Sequence, residues 1–282
     1  MIASLAIQSV LDDWSLPVWL TSTIILTAVL YVRGWFALRA TRREQFSGWR
    51  LASFLSGLAC LWLSIGSPLD AFADILLSAH MVEHLILMSL VPPLILVGLP
   101  VVPLLRGLPR LVRKYLAGPM IRFTPLRLLV HGLTKPVVAW LAMNLSFLLW
   151  HIPAAYDFAL EHEGWHDIEH MCFLFGSTLF WWCVLRPWPA ATRSHSWTIL
   201  LYLVSADAVN SILSAFLAFC GRTVYPFYVN HPNPFQIAPL PDQVLGAVIM
   251  WVLGSLAFLI PAAAITFAML QPSVNRAIYT RA

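Results

Sequence analysis

Long apolar runs separated by short polar joints set the pattern of this chain. Seven runs stand out, at about residues 16–38, 50–67, 76–98, 136–152, 167–185, 197–219 and 243–270. Most approach the roughly 20 residues that a helix needs to cross a bilayer. Within lipid only a helix or a closed barrel satisfies its own backbone groups, and runs of this length favour helices. The pattern therefore predicts an all-α polytopic membrane protein with seven transmembrane helices in one integral domain over 1–282. Pro92-Pro93 should kink the third span and Pro261 the seventh. Residues 1–15 carry Asp12 and Asp13, with neither a basic leader nor a small-residue cleavage site. They read as a short interfacial segment rather than a removed signal peptide.

Composition agrees. The chain is 60% hydrophobic and 11% charged, against about 25% charge in a soluble domain, and its mean hydropathy is +0.77. No nucleic-acid module, phosphate loop or dinucleotide fingerprint occurs. The four cysteines (Cys60, Cys172, Cys183, Cys220) form no C-x-x-C pair. Charge also orients the chain. The stretches 39–50, 106–135, 186–193 and 271–282 hold four, seven, two and two Lys/Arg, 15 of the 17 present. Of the 13 Asp/Glu only Glu44 lies with them. Positive residues stay inside, so the N-terminus is expected outside and the C-terminus in the cytoplasm.

Two five-residue runs carry the chemistry. His80-Met81-Val82-Glu83-His84 and His166-Asp167-Ile168-Glu169-His170 both read H-x-x-E-H, each at the outer start of a span. On a helix the two His of a run are one turn apart, about 6 Å along the axis. The Glu then falls on the same face, within an arc of roughly 100°. Such a helix offers two imidazoles to one metal ion, with a carboxylate alongside. A single run is weak; the repeated spacing outweighs the bland alternative of polar residues at headgroup level.

The expected topology brings more groups to the same depth. His151 closes the fourth span and Asp242 opens the seventh, both on the outer side. His80, His84, His166 and His170 are the core ligand candidates, with His151 and Asp242 next. Glu83 and Glu169 are candidate ligands, tautomer-fixing acceptors or general bases. His162, in the loop before the second run, is auxiliary, as are Met81, Met171 and Met250, since a Met at helical spacing is more often packing. Imidazole with carboxylate suits copper, zinc or iron, and thioethers would favour Cu(I). His131, His195 and His231 are given no role. Deeper in the membrane, Asp207, Asn210 and Asn144 could line a polar path to the site or form a helix–helix hydrogen-bond cluster. The Pro-rich, aromatic loop 220–241 suits a rigid cap, a docking surface or an aromatic belt.

Taken together these residues resemble the seven-spanning CtaG-type cytochrome c oxidase assembly factors of bacteria. The likeness rests on His80-x-x-x-His84 before Pro92-Pro93 and Gly98-x-Pro100. It extends to Trp150-His151-x-Pro153 with Tyr156, His166-x-x-Glu169-His170, and Asp242-Gln243-x-x-Gly246-x-x-Met250-Trp251. It covers about residues 20–270. The resemblance implies a multi-pass protein of the bacterial cytoplasmic membrane that helps to build haem–copper oxidase. It also implies a part in supplying copper to an oxidase subunit or another copper carrier, as an assembly factor rather than an enzyme. Two other readings stay open on the residues alone. H-x-x-E-H is also the inverted zinc-protease signature, and one His from each of two helices could hold a haem.

Overall fold

The computed structural model describes residues 14, 17–185, 196–231 and 233–270. The interfacial reading of residues 1–15, Trp14 apart, lies outside these residues. So do the basic stretches 186–193 and 271–282, His195 and Pro232. Among the described residues every regular element is helical.

Among the described residues six helices are long and apolar enough to span a membrane, or seven counting one bent pair. The spanning helices are α1 (Val18–Arg39), α2 (Gly48–Gly66), α10 (Glu163–Leu185), α11 (Ser196–Phe219) and α13 (Pro239–Leu270), plus one broken helix, Leu77–Val97. After the short α3 (Pro68–Ala73), that third span is built as α4 (Leu77–Leu85), a π-helical turn (Ile86–Leu90) and α5 (Val91–Val97). A basic segment follows, with α6 (Val101–Gly107) at its start and α7 (Thr124–Leu133) at its end. Short helical turns cover 110–122 between α6 and α7, and α8 (Pro136–Trp150), α9 (Pro153–Leu160) and α12 (Pro226–Asn230) complete the set.

The fourth span departs from a simple crossing. At 15 residues, α8 reaches about 22 Å, short of the roughly 30 Å hydrocarbon core. It becomes long enough only with α7, from which it bends by 66°. Pro136 sits at the start of α8, where its missing N–H costs nothing. The third span breaks before its prolines rather than at them. Pro92 has no N–H for the Met88 carbonyl one turn back, and the indole N–H of Trp181 donates to that oxygen instead, at 3.0 Å. By contrast α13 runs through Pro261 as one helix.

The lower end of the third span is fastened by side chains of α1 and α2. The last carbonyls of a helix have no partner within it. Here Ser53 Oγ donates to Leu94 O at 2.8 Å, Arg50 Nη1 to Val97 O at 2.8 Å, and Tyr31 Oη to Gly98 O at 2.6 Å. A Cβ on Gly34 would lie 1.8 Å from Pro103 O, and one on Gly107 1.8 Å from Leu30 O. The two glycines let α1 and α6 touch backbone to backbone. Beyond this corner α11 packs on α13, α8 on α10, and α13 on α4. Those helices frame the site.

Candidate metal centre

Near the starts of α4 and α10 the two runs face each other in the bundle interior. Helical spacing brings the imidazoles of each run together, so His80–His84 and His166–His170 ring centroids are each 4.2 Å apart. Across the helices, His80 lies 5.2 Å from His166 and His84 lies 5.5 Å from His170. The carboxylates cross over: Glu169 Oε1 is 3.7 Å from His84 Nε2, and Glu83 Oε1 is 3.8 Å from His170 Nε2. Each Glu thus addresses the other run. All are buried except His166, which is half-buried.

These groups are short of partners. Both nitrogens of His84, Nε2 of His166 and His170, and both oxygens of Glu83 and Glu169 form no hydrogen bond. His80 lies near the Ala73 carbonyl, yet neither ring nitrogen bonds with normal geometry. Burying even one polar group unpaired costs about 1–3 kcal/mol, so a cluster of them calls for a common partner. Three sets of ligand atoms lie within 4.8 Å of one another and could hold a metal ion: His80–His84–His170, His80–His166–Glu169 and Glu83–His166–His170. Any two of these triads share one imidazole. A neutral imidazole has one lone pair to give, so the triads are alternatives for a single ion. The donor set of nitrogen with carboxylate oxygen fits copper, zinc or iron.

A tyrosine roof covers the cluster. Tyr156 of α9 lies 5.1 Å from His80 and 4.2 Å from Tyr225, ring to ring. Its hydroxyl pairs with that of Tyr228 at 3.2 Å, and Tyr228 donates to Ala73 O at 3.0 Å. Tyr225 and Tyr228 come from the loop 220–241 and are buried. That loop therefore caps the site through these two residues. Nothing in the repeated motif signals Tyr156; its place behind Trp150-His151-x-Pro153 was the available hint.

The other sequence candidates fall in different places. His151 borders the cluster, 6.3 Å from His84. Its Nδ1 donates to Phe147 O at 2.7 Å and its Nε2 is buried without a partner. Asp242 stands outside the triads. Its carboxylate accepts from the backbone N–H of Leu77 at 2.6 Å and Ser78 at 3.3 Å, and from the Ser78 hydroxyl. It caps α4, and so positions the first run. His162 is exposed, bonded to Phe158 O at 2.9 Å. Met81 is buried in the core and Met171 is 67% exposed. Asn144 and Asn210 are buried, donating to Trp140 O at 2.9 Å and Met250 O at 3.2 Å. Asp207 is half-buried, with one carboxylate oxygen unpartnered.

Comparison with known proteins fits this arrangement. An uncharacterized protein of Mycobacterium bovis, Mb0105, is 26% identical over 263 residues, covering 89% of this chain and 38% of the relative. A Mycobacterium leprae counterpart, ML1998, is 24% identical over 251 residues, 84% of this chain and 36% of its own length. The chain thus spans under two-fifths of these relatives. No solved structure matches it. The model of a family described as cytochrome c oxidase caa3 assembly factor matches residues 29–271, which takes in both runs, the tyrosine roof and the Asp242 cap. The chain belongs to the cytochrome c oxidase caa3 assembly factor family.

Proposed function

We propose that this protein binds one copper ion in the paired H-x-x-E-H cluster and makes it available to an oxidase subunit or another copper carrier during assembly. One observation carries the reading: two helices bury four imidazoles and two carboxylates against each other with their ligand atoms unpartnered. A structural zinc site would fix one closed set of ligands. Three overlapping triads suit an ion that moves by exchanging one ligand at a time. When bound, copper would supply only its own charge and ligand affinity. The residues do the rest. His80, His166 and His170 each serve two triads, the carboxylates offset the cation's charge in the low-dielectric interior, and the tyrosine roof excludes water.

The closeness of the rings across the two helices, with centroids 5.2 and 5.5 Å apart, favours a bare ion over a haem, whose macrocycle needs a slot between its axial ligands. The basic bias supports a cluster that opens to the outer face of a bacterial cytoplasmic membrane. Metal analysis and an optical spectrum of the purified protein test the reading. One copper per chain and no Soret band are expected; stoichiometric haem, or zinc that copper does not displace, would overturn it. Reporter fusions after Arg113 should read cytoplasmic and those after Asn233 external, and the reverse would move the site to the inner face.

A further inference from the structure

Next to the cluster lies a cavity of about 30 Å³ that His84 helps to line. That is room for about two water-sized groups. Met88, Met143 and Met250 line it, from three different spans, together with Asn144 and Asn210. Three of the chain's eight methionines thus meet at one small void. Met143 and Met250 are buried, and Met88 packs against both of the core clusters to which they belong.

Methionine fills irregular cores, and packing alone could place one here. Two further observations point to a ligand. His84, 3% exposed, has both ring nitrogens without a hydrogen-bond partner and lines this cavity as well as the cluster. It also belongs to only one of the three triads, so it is free whenever an ion occupies either of the others. Next, Met88 sits within the π-helical turn Ile86–Leu90, a widening that recurs at functional sites. Trp181 holds that turn by its bond to Met88 O. The Asn210 amide is held against α13 by its bond to Met250 O, and Gly254 leaves room for it.

We propose that this cavity is a second station for a soft monovalent cation of the Cu(I) class, held by the thioethers of Met88, Met143 and Met250 with His84 as the shared ligand. Thioether sulfur selects Cu(I) over divalent zinc or cobalt. His84 then acts as the hinge of transfer. The ion leaves the sulfurs while keeping the imidazole, and meets His80 and His170 in its place. The direction of transfer rests on the cluster being a metal site; the cavity's own affinity does not.

Ag(I), a redox-inert stand-in for Cu(I), and Zn(II) distinguish the two sites. The measurement is bound metal per chain in detergent, with Cys60, Cys172, Cys183 and Cys220 replaced by Ser so that thiols do not compete. That protein should bind one more Ag(I) than Zn(II), with sulfur scattering in the silver X-ray absorption spectrum. Replacing Met88, Met143 and Met250 together by Leu should remove one Ag(I) and leave Zn(II) unchanged. Should the triple variant fail to fold, Met250→Leu alone, which conserves volume, should weaken that Ag(I) by at least tenfold. Unchanged Ag(I) stoichiometry, affinity and scattering in a folded Met variant would overturn the proposal. Loss of Zn(II) binding in the parent, with Met-dependent Ag(I) retained, would sink the cluster reading and spare this one.

Discussion

The two H-x-x-E-H runs are spelled alike and sit differently. In α4 the run is enclosed: His80, Met81, Glu83 and His84 are all buried, the helix is capped from α13, and it breaks into a π turn two residues after His84. In α10 the run starts an uninterrupted 23-residue helix that turns one face to the site. There His166 is half-buried, while Trp165, Asp167, Ile168 and Met171 are exposed. One run is the fixed wall of the site and the other is its accessible side. Motif spelling specifies which groups can meet. Packing decides which of them are shielded and through which side the site is reached.

The strongest way to break this comparison is to remove ligands across it. His80→Ala with His170→Ala leaves no triad complete, and metal affinity should fall by more than about 100-fold, beyond the range of supporting groups. His84→Ala with His170→Ala keeps His80–His166–Glu169 whole and should retain measurable metal. Equal loss in the two double variants, followed by metal analysis of folded protein, would show that the triads are not alternatives. Next come the two methionines. Met81→Ala should destabilise the protein by about 2–5 kcal/mol, whereas Met171→Ala should stay within about 0.5 kcal/mol. Denaturant midpoints in detergent measure both, and a similar cost at the two would erase the enclosed-versus-open distinction.

A smaller effect separates the helix starts. Asp242→Ala removes the cap of α4 and should cost about 1–2 kcal/mol, with metal affinity falling about tenfold through displaced His80 and His84. Calorimetry with and without metal would read both. A variant as stable as the parent would mean that the carboxylate does not hold the first run. Smallest is a difference in reactivity. With metal removed, diethyl pyrocarbonate should modify His166 before His80 or His84, as mass spectrometry would show. Simultaneous modification would place the opening elsewhere.

Much of this was legible in the residues, because long apolar runs and a repeated His/Glu spacing state their own geometry. The bundle, the two facing runs and the place of His151 beside them follow from span order and helical phase. The rest depends on sides that lipid conceals. In water a polar stripe marks the outer face of a helix; in a bilayer the outer face is as apolar as the inner one. Met81 and Met171 therefore look equivalent in sequence while one is core and the other faces outward. The same concealment hid the bend that joins α7 to α8. It also hid the capping role of Asp242, since a carboxylate at a helix start looks the same whether it serves a metal or a neighbouring helix.

The Asp242 cap has a consequence for the order of events at the ribosome. The amide it receives belongs to Leu77, 165 residues earlier in the chain. At about 5–20 residues per second, roughly 8–33 s of synthesis separate the two. During that interval the first His run is already in the membrane while the first turn of its helix lacks its capping partner. On the proposed copper role, loading before α13 arrives would meet an unfinished site.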